Sequence, residues 1–473
     1  MTMFRYLTIF ALVLSFGVAR AEDKKADPKA AKKGEVEVAS YYRDVRPILQ
    51  KHCMGCHQPA KAGGKLILLD YASLLRGGRS QEDDPIVVAG KPQESLLFTE
   101  VVPEDGKASM PKKAAPLSKI EIEKIHRWIA QGAKDDTPAN AKGVQASMEK
   151  PPVYESAPVI SSVDYSPDGK LLAVSGYHEV IVHRADGSGM VARLVGLSER
   201  IEKATFSHDG KRIAVTGGSP GRFGEVQIWD LEKRKLLVST QVTYDTIYGG
   251  DWSHDDKLFA FGCSDNTLRA IETKGGKQVL FQGAHSDWVL DAAFSKDSSH
   301  LCSVSRDRTL KLVVVKTEQF VDNITSITPG ALKGGLLAVD RHPKEDQLLV
   351  GGADGSPKIY RMFREKARKI GDDYNLIRRF DALPGRVFDT EFDREAKRVV
   401  ACSSADRKGE IRVYNAADGK QTWKVQLDEP IYTVAFSPDG KWVAAGGFKG
   451  VVRIYDASSG KQVKQFVPVP LSF

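Results

Sequence analysis

The 473-residue sequence predicts a multidomain protein, with a small, mainly α domain followed by an all-β propeller of seven blades. Two observations carry this prediction. A phrase of the type aromatic-Ser-x-Asp recurs, in strong or weak copies, at intervals of 41 to 51 residues through the later part of the chain. Periods of this length with many short strands are typical of propeller blades. Before the repeats, a Cys-x-x-Cys-His motif lies between two segments with helical apolar spacing.

The N-terminus predicts export. Residues 1–21 combine the basic Arg5, an apolar stretch of 13 residues and a small-residue site, so we expect a signal peptide cut near Ala21. The apolar stretch is short for a membrane helix, so no membrane span is expected. Residues 22–39 are rich in Lys, Ala and Glu and predict a flexible leader. The expected location is therefore periplasmic or otherwise outside the cytoplasm.

Composition sets limits on function. Hydrophobic residues make up 41% and charged residues 27% of the chain, as in an ordinary globular protein. The formal net charge of +8 is too slight and too dispersed to predict a nucleic-acid partner. Five cysteines, two of them in the motif, do not make a disulfide scaffold. Cys263, Cys302 and Cys402 are predicted to be small core residues.

The motif Cys53-Met54-Gly55-Cys56-His57 has the spacing of a covalent haem attachment site. Cys53 and Cys56 can reach the two vinyl groups of one porphyrin, and His57 then lies beneath the iron as proximal ligand. A zinc site would need two more ligands at suitable spacing, and the other cysteines are scattered singly. The sequence therefore predicts one covalently attached haem c per chain.

Two helices are predicted to flank this motif within a domain spanning residues 40–133. Ser118, with Glu121 three residues later, has the pattern of a capping box and predicts the start of the second helix. Pro47 is compatible only with the start of the first helix. The apolar residues at helical spacing are Tyr42, Val45, Ile48 and Leu49 before the motif, and Ile122, Ile125, Trp128 and Ile129 after it.

The sixth iron ligand is predicted to be Met110, which is followed by Pro111 in a loop with polar flanks. A thioether is a soft, neutral ligand that favours ferrous iron and raises the reduction potential. The alternative reading of a lone methionine is gap-filling in the core. The competing histidines are His52, which is adjacent to Cys53 and badly placed for the opposite haem face, and His126 on the last helix.

This segment resembles the planctomycete-type cytochrome c family. The matching elements are Val45-Arg-Pro-Ile-Leu49, the haem motif, Gly63-Gly-Lys-Leu66, Leu69-Asp70, Gly77-Gly78, Val88-Ala-Gly90, Pro92, Ser95-Leu96, Met110-Pro111, Leu117-Ser118 and Trp128-Ile-Ala-Gln-Gly-Ala133. Lys112 stands where the family usually has a second proline. The resemblance implies haem binding and electron transfer at the cell exterior.

Residues 134–158 carry several prolines and predict a linker, and residues 159–473 predict the propeller. A polar turn and apolar strands follow each phrase, as in Val226-Gln-Ile-Trp-Asp230. The copies are Tyr165-Ser-Pro-Asp-Gly-Lys170, Phe206-Ser-His-Asp-Gly-Lys211, Trp252-Ser-His-Asp-Asp-Lys257, Phe294-Ser-Lys-Asp297, Arg341-His-Pro-Lys344, Phe392-Asp-Arg-Glu395 and Phe436-Ser-Pro-Asp-Gly-Lys441.

The repeats resemble the WD40 family over about Val159 to Val467. Trp229-Asp230 keeps the signature dipeptide, and Ala284-His285 resembles the family's Gly-His. Turn aspartates are expected at Asp265, Asp307, Asp354 and Asp406. The resemblance implies a propeller whose faces bind partner proteins, although fold by itself does not specify function.

Together these patterns predict an exported mono-haem c-type cytochrome that transfers single electrons, with the propeller as a protein-interaction scaffold for an unknown redox protein. An electron-transfer or binding protein is expected rather than an enzyme. Two alternatives stay open at this point. One is a haem-based redox enzyme or ligand sensor with a labile sixth ligand. The other is catalysis in the propeller fed by the cytochrome, although His178, His183 and His300 are single residues without a ligand triad.

Overall fold

The structure is a computed structural model that describes residues 38–54, 56–58, 61–68, 70–78, 85–112, 114–138, 146–283, 285–326, 333–367, 369, 371 and 373–472. The predicted signal peptide, its cleavage near Ala21 and most of the predicted leader lie outside the described residues. So do Gly55 of the motif, Leu69 and Ala284.

The N-terminal part is small and its helices are short. A π-helical turn, Tyr41–Val45, continues directly into helix α1, Arg46–His52. The Ser40 side chain caps this turn by accepting a hydrogen bond from the Arg43 backbone N–H at 2.9 Å. The other elements are a hairpin of β1, His57–Gln58, and β2, Lys61–Ala62; 3₁₀ turns Gly63–Lys65 and Pro92–Glu94; and helices α2, Tyr71–Arg76, α3, Leu96–Thr99, and α4, Lys119–Ala130.

Helix α4 begins with the capping box that the sequence predicts. The Ser118 side chain accepts from the Glu121 N–H at 3.3 Å, and the Glu121 carboxylate accepts from the Ser118 N–H at 2.8 Å. The same carboxylate lies 3.0 Å from His52 Nε2 and 3.2 Å from Lys51 Nζ. Glu121 therefore joins the start of α4 to the end of α1.

A compact apolar core holds these helices together. Ile125, Trp128 and Ile129 on one face of α4 are fully buried, as their predicted spacing requires. The Trp128 ring lies 5.5 Å from the Tyr41 ring and 6.4 Å from the Tyr71 ring, centroid to centroid. Aromatic groups at these distances add to the stabilisation from apolar burial.

Replacing Glu121 by alanine should destabilise α4 by about 1 kcal/mol, because the capping box and the link to α1 disappear together. The pKa of Glu121 is lowered to about 2, chiefly by the bond from the Ser118 backbone N–H. The contribution of this carboxylate is thus present above its usual pKa of 4.5 and disappears as the pH falls towards 2. Hydrogen exchange of the α4 amides in the full chain measures the change.

The matched control is Glu123→Ala, which removes an exposed carboxylate that lies 3.4 Å from Arg127 Nη2. Such an i,i+4 pair contributes about 0.3 to 0.5 kcal/mol. Equal loss of amide protection in the two variants would show that the Glu121 link has no special role.

The rest of the described chain is mostly β and forms antiparallel sheets in sequence order. The first sheet has seven strands: β3, Val163–Tyr165; β4, Leu171–Ser175; β5, Tyr177–Arg184; β6, Met190–Phe206; β7, Arg212–Ser219; β8, Phe223–Asp230; and β9, Lys235–Thr243.

Five four-stranded sheets follow. The first two consist of β10 (Ile247–Trp252), β11 (Leu258–Cys263), β12 (Leu268–Glu272) and β13 (Gln278–Gln282), and of β14 (Val289–Phe294), β15 (His300–Ser305), β16 (Leu310–Val314) and β17 (Phe320–Asn323). The next two consist of β18 (Leu336–Arg341), β19 (Gln347–Gly352), β20 (Lys358–Arg361) and β21 (Leu376–Arg379), and of β22 (Arg386–Phe392), β23 (Arg398–Ala405), β24 (Lys408–Asn415) and β25 (Gln421–Leu427). The last consists of β26 (Ile431–Phe436), β27 (Trp442–Gly447), β28 (Val452–Asp456) and β29 (Gln462–Phe466).

Strand β6 explains why the first sheet is wider than the others. Its N-terminal part pairs with β5, with Val195 opposite Glu179, and its C-terminal part pairs with β7, with Phe206 opposite Ile213. One long strand is thus shared by two four-stranded halves. The repeated four-stranded sheets agree with a WD40-like propeller, as the sequence period predicts.

The recurring phrase forms the turn between the first two strands of a four-stranded unit. In its first copy the Ser166 hydroxyl donates to Asp168 Oδ1 at 2.7 Å and accepts from the Leu171 N–H at 2.9 Å. Asp168 Oδ1 also accepts from the Lys170 N–H at 3.1 Å. The same serine–aspartate bond recurs in Ser207–Asp209, Ser253–Asp255, Ser295–Asp297 and Ser437–Asp439. These side chains satisfy the turn's backbone groups, which is why the phrase repeats.

The first and last sheets meet and close a ring. The Val163 N–H donates to Thr433 Oγ1 at 3.0 Å, and the Ile160 N–H donates to the Gly447 carbonyl at 3.0 Å. Tyr154, inside the predicted linker, is buried, and its hydroxyl donates to Glu179 Oε1 at 2.7 Å. A parallel bridge joins Tyr154 to Leu471, so both ends of the repeat region come together.

The N-terminal helices contact the propeller near the turn between β7 and β8, where Gln50 Nε2 lies 3.5 Å from the Arg222 carbonyl oxygen. Within the part of the chain that the structure describes, no helix is long and apolar enough to cross a membrane.

Candidate functional site

The predicted haem-attachment residues share one backbone turn at the end of α1. The Cys53 N–H donates to the Leu49 carbonyl at 2.9 Å, and the Cys56 and His57 N–H groups both donate to the Cys53 carbonyl at 3.1 Å. Both thiols are free, with Cys53 half-buried and Cys56 exposed. Burial raises the pKa of the Cys53 thiol to about 12.

Met110, the predicted sixth ligand, packs partly buried against the N-terminal core, and its N–H donates to the Glu100 carbonyl at 2.8 Å. The competing histidines have other contacts: His52 binds Glu121, and the His126 ring lies 5.1 Å from the Phe98 ring. Two free thiols, an imidazole and a thioether are chemically the donor set that haem c takes. The assignment of haem c to Cys53, Cys56, His57 and Met110 stays a prediction.

The larger site lies in the propeller. A cavity of about 1060 Å³ follows the propeller axis and is lined by the first strand of every sheet and by the C-terminal half of β6. Its lining contains eight carboxylate side chains and three basic ones. We call this cavity the channel.

Four channel carboxylates join neighbouring four-stranded units of the ring. Each directly precedes the first residue of one phrase. Its carboxylate accepts a hydrogen bond from the backbone N–H of the aromatic residue that begins the next phrase. The bonds are Asp164 to Phe206 N at 2.7 Å, Asp251 to Phe294 N at 3.0 Å, Asp340 to Phe392 N at 2.7 Å and Glu391 to Phe436 N at 3.0 Å. These bonds fix the sheets around the channel.

Lys203 is the cation at the centre of this arrangement. Its ammonium group lies 3.1 and 3.2 Å from the two carboxylate oxygens of Asp291. Burial acts to lower the pKa of Lys203, but Asp291 and then Asp389 outweigh it and raise that pKa above its usual value. Asp291 Oδ2 also accepts from the Val339 N–H at 3.2 Å, so the pair links three sheets.

Three further channel carboxylates, Asp164, Asp340 and Asp389, retain protons to unusually high pH. Burial is the main cause, since it disfavours the charged form. It raises the pKa of Asp164 and of Asp389 to about 6 and that of Asp340 to about 7. The negative charge of the channel therefore increases between about pH 5 and pH 8.

The propeller should be more stable at pH 5 than at pH 8. Above the usual aspartate pKa of 3.8, the unfolded chain loses these protons while the folded chain keeps them, so the free energy of unfolding falls until about pH 7. Urea unfolding of the full chain at the two pH values measures this difference. Asp340→Asn should reduce it, whereas Asp168→Asn, at an exposed turn, should not. A stability that rises from pH 5 to pH 8 would contradict the expectation.

Aromatic side chains surround one mouth of the channel. We call this set the aromatic collar: Tyr177, Tyr248, Trp288, Phe388, Tyr432 and Phe448. The Trp288 ring stacks on Tyr248 at 5.6 Å, and the Arg306 guanidinium lies 4.3 Å above Trp288. Phe448 and Tyr177 are 58% and 41% exposed, so the collar faces solvent.

Sequence reasoning missed both the channel carboxylates and the collar. A signal was present, because Asp164, Asp251, Asp340 and Glu391 each stand directly before the first residue of a phrase. The collar has no comparable signal, since its residues come from different turns and strand ends.

Family models match two parts of the chain. The model of planctomycete cytochrome C matches residues 53–114, and the model of the WD domain, G-beta repeat, matches residues 276–313 and 420–456. Both matches agree with the resemblances in the sequence. Each covers a minor part of the chain.

Curated relatives are similar to this chain over less than half of its length. A ribosome biogenesis protein WDR12 homolog from Chlamydomonas reinhardtii is 32% identical over 145 residues, 28% of this chain and 33% of that protein. Eukaryotic translation initiation factor 3 subunit I from Coccidioides immitis is 23% identical over 48% of this chain and 68% of that protein. The same subunit from Aspergillus oryzae is 23% identical over 42% of this chain and 61% of that protein. The chain thus spans a third of the first relative.

These findings overturn the predicted function. The prediction of an exported haem electron-transfer cytochrome is wrong, because the relatives are proteins of ribosome biogenesis and translation initiation and, with the repeat matches, point to a WD40 scaffold. As descriptions of what the chain does, the haem, cytochrome, electron-transfer and periplasmic terms conflict with such relatives, which do not test whether a haem is attached or where the chain is located. In the described ranges, no group of three or more His, Cys, Asp or Glu residues could hold a metal ion.

The same findings overturn the two alternatives, a haem-based enzyme or sensor and propeller catalysis fed by a cytochrome. A redox partner has no support. The reason is the share of the chain that each observation covers. A five-residue motif can specify how a cofactor is attached, whereas similarity to one curated relative extends over 48% of the chain. The scaffold part of the prediction agrees with the WD40 matches.

Proposed function

We propose that this chain is a protein-interaction scaffold built on a seven-bladed propeller. Support for seven blades comes from β6, which serves two four-stranded halves, so that the first sheet and the five others supply seven four-stranded units. The proposed division is a helical domain at residues 40–133, a linker at 134–158 and the propeller at 159–473.

The observation that carries the scaffold proposal is the solvent-facing collar at one end of a rigid ring of sheets. Exposed aromatic groups are enriched where proteins bind each other, since they offer large contact areas at low entropic cost. The match to the WD40 repeat supports the same role. Nothing in this proposal requires chemistry on a substrate.

A photo-crosslinking experiment tests the proposal. The full chain carries a benzoylphenylalanine in place of Phe448 or of Trp442. Trp442 begins β27, Phe448 directly follows its last residue, and both are exposed. We expect a discrete partner, crosslinked from the Phe448 position and bound in a fixed ratio by native mass spectrometry. If neither position yields a partner bound in a fixed ratio, the result contradicts the scaffold proposal.

We propose separately that Cys53 and Cys56 attach haem c, with His57 and Met110 on the iron, without assigning it a role in electron transfer. The donor chemistry and the family match over residues 53–114 support this proposal. Export with signal cleavage near Ala21 would precede the attachment and is proposed with it.

Replacing Cys53 and Cys56 together by alanine should abolish covalent haem while the propeller stays folded. The denaturing-gel haem stain of the exported chain measures attachment, and circular dichroism measures folding. Cys263→Ala is the control, because this thiol is fully buried in a propeller core and should not affect attachment. Covalent haem in the double variant, or its absence from the wild-type chain, would contradict the assignment.

A further inference from the structure

The channel and its collar form a continuous surface. Pocket-lining residues run from Phe448 and Tyr177 at the mouth to Asp251 and Asp340 on the inner strands. The mouth is apolar and aromatic, whereas the wall behind it is acidic. A partner that fits both parts must offer an apolar body and a positive charge.

The channel lining holds eight carboxylates against three basic side chains, so acidic groups outnumber the cations there. Lys203 is bound to Asp291 at 3.1 Å, and Arg200 Nε is bound to Glu202 at 2.5 Å. Asp251 and Asp340 each accept one hydrogen bond from a backbone N–H on Oδ2, and both residues are half-buried in the channel lining. A cation that enters the channel can therefore pair with these carboxylates.

The collar favours the same kind of partner. A guanidinium or ammonium group binds the face of an aromatic ring, and Arg306 over Trp288 already shows this contact within the chain. Carboxylates behind the rings add complementary charge, which contributes specificity. Both halves of the surface thus select a long basic side chain with an apolar stem.

We propose that the collar binds a peptide segment of a partner protein and that one lysine or arginine side chain of this segment enters the channel towards Asp251 and Asp340. This inference rests on the proposed scaffold function and specifies the chemistry of its partner. Because Asp340 and its neighbours Asp164 and Asp389 lose protons between pH 5 and pH 8, binding of the basic side chain strengthens over that range.

A peptide array tests the inference with the full chain. The probes are twelve-residue peptides with random flanks and one fixed central residue, either Arg, Lys, Gln or Glu. At pH 8 we expect about tenfold more binding to the Arg or Lys peptides than to the Gln peptides, and a smaller preference at pH 5. The double variant Asp251→Asn/Asp340→Asn should lose the preference, since asparagine keeps an acceptor oxygen but no charge.

The matched control is Asp168→Asn/Asp439→Asn, which removes two carboxylates at exposed turns lining a separate groove of about 680 Å³. It should keep the preference. If the channel double variant fails to fold, Trp288→Ala and Phe448→Ala, both at solvent-exposed positions, should weaken binding of the basic peptides at least about threefold.

The outcomes separate this inference from the scaffold proposal. A preference for basic peptides that survives the channel variants, or no preference at all, overturns the inference. Binding of spermidine without binding of the basic peptides also overturns it, because the occupant is then a small polyamine. If a stoichiometric partner is still crosslinked at Phe448 in these cases, the scaffold function stands and only its proposed chemistry is wrong.

Discussion

Replacing Lys203 by methionine should lower the free energy of unfolding of the propeller by about 3 to 5 kcal/mol. Lys203 lies within 3.2 Å of both oxygens of the buried Asp291, so the substitution leaves a carboxylate without its cation. Burial already raises the pKa of Asp291, and loss of the ammonium group must raise it further. The destabilisation is therefore expected to be larger at pH 8, where keeping Asp291 protonated costs more.

Urea unfolding of the full chain at pH 5 and pH 8 measures this effect. Lys211→Met is the control, because Lys211 is an exposed lysine of a turn phrase and its loss should change stability by less than about 0.5 kcal/mol. The double variant Lys203→Met/Asp291→Leu should recover part of the lost stability, since removing both charges removes the uncompensated one. A single variant as stable as the wild type at both pH values would show that the ion pair contributes nothing.

Replacing Asp307 by alanine should destabilise the propeller by about 3 kcal/mol or more. The Asp307 side chain is 95% buried, and it joins the turn between β15 and β16 to the segment before β14. Its Oδ2 lies 2.9 Å from His285 Nδ1, and its Oδ1 accepts from the Thr309 N–H at 2.9 Å and from the Thr309 hydroxyl at 2.6 Å. The variant leaves several buried donors without a partner.

The electrostatics of Asp307 support this expectation. Burial acts to raise its pKa, but the bonds from His285 and Thr309 outweigh burial and lower that pKa below its usual value. His285 is fixed on its other side, since its Nε2 lies 2.8 Å from Ser303 Oγ. The network is thus closed, and the loss of one member affects all of them.

Thermal unfolding of the full chain measures the change for Asp307→Ala. Asp406→Ala is the matched control, because Asp406 occupies the corresponding turn two blades later, where it was also expected as a turn aspartate, and it is exposed. We expect the control to shift the unfolding temperature little. Equal shifts for the two variants would contradict a special role of the His285–Asp307 network.

Much of the local structure could be predicted because its causes are local. The Ser118 and Glu121 spacing predicts the start of α4, and the structure has the reciprocal hydrogen bonds at that position. The Ser-x-Asp phrase predicts turns for the same reason, since Ser166 and Asp168 bind groups within five residues. Short-range hydrogen bonds depend on spacing, and spacing is visible in the sequence.

The candidate site could be predicted only in part. Cys53, Cys56 and His57 are adjacent in the sequence, so their placement on one turn follows from the motif. The channel could not be predicted in this way, because Asp251 and Asp340 lie far apart in sequence and line one cavity only after the sheets close into a ring. The predicted function was wrong because the motif, although specific, describes a small part of the chain.

By itself the sequence determined the period of the repeats, the turn chemistry and the residues of the Cys-x-x-Cys-His motif, because each depends on neighbours along the chain. Only the tertiary structure decided which charges meet. The bond of Val163 to Thr433 closes the ring across 270 residues, and Lys203 meets Asp291 across 88. Contacts at such separations depend on how the blades pack. Packing brings buried charges together, and no local sequence pattern specifies which of them become partners.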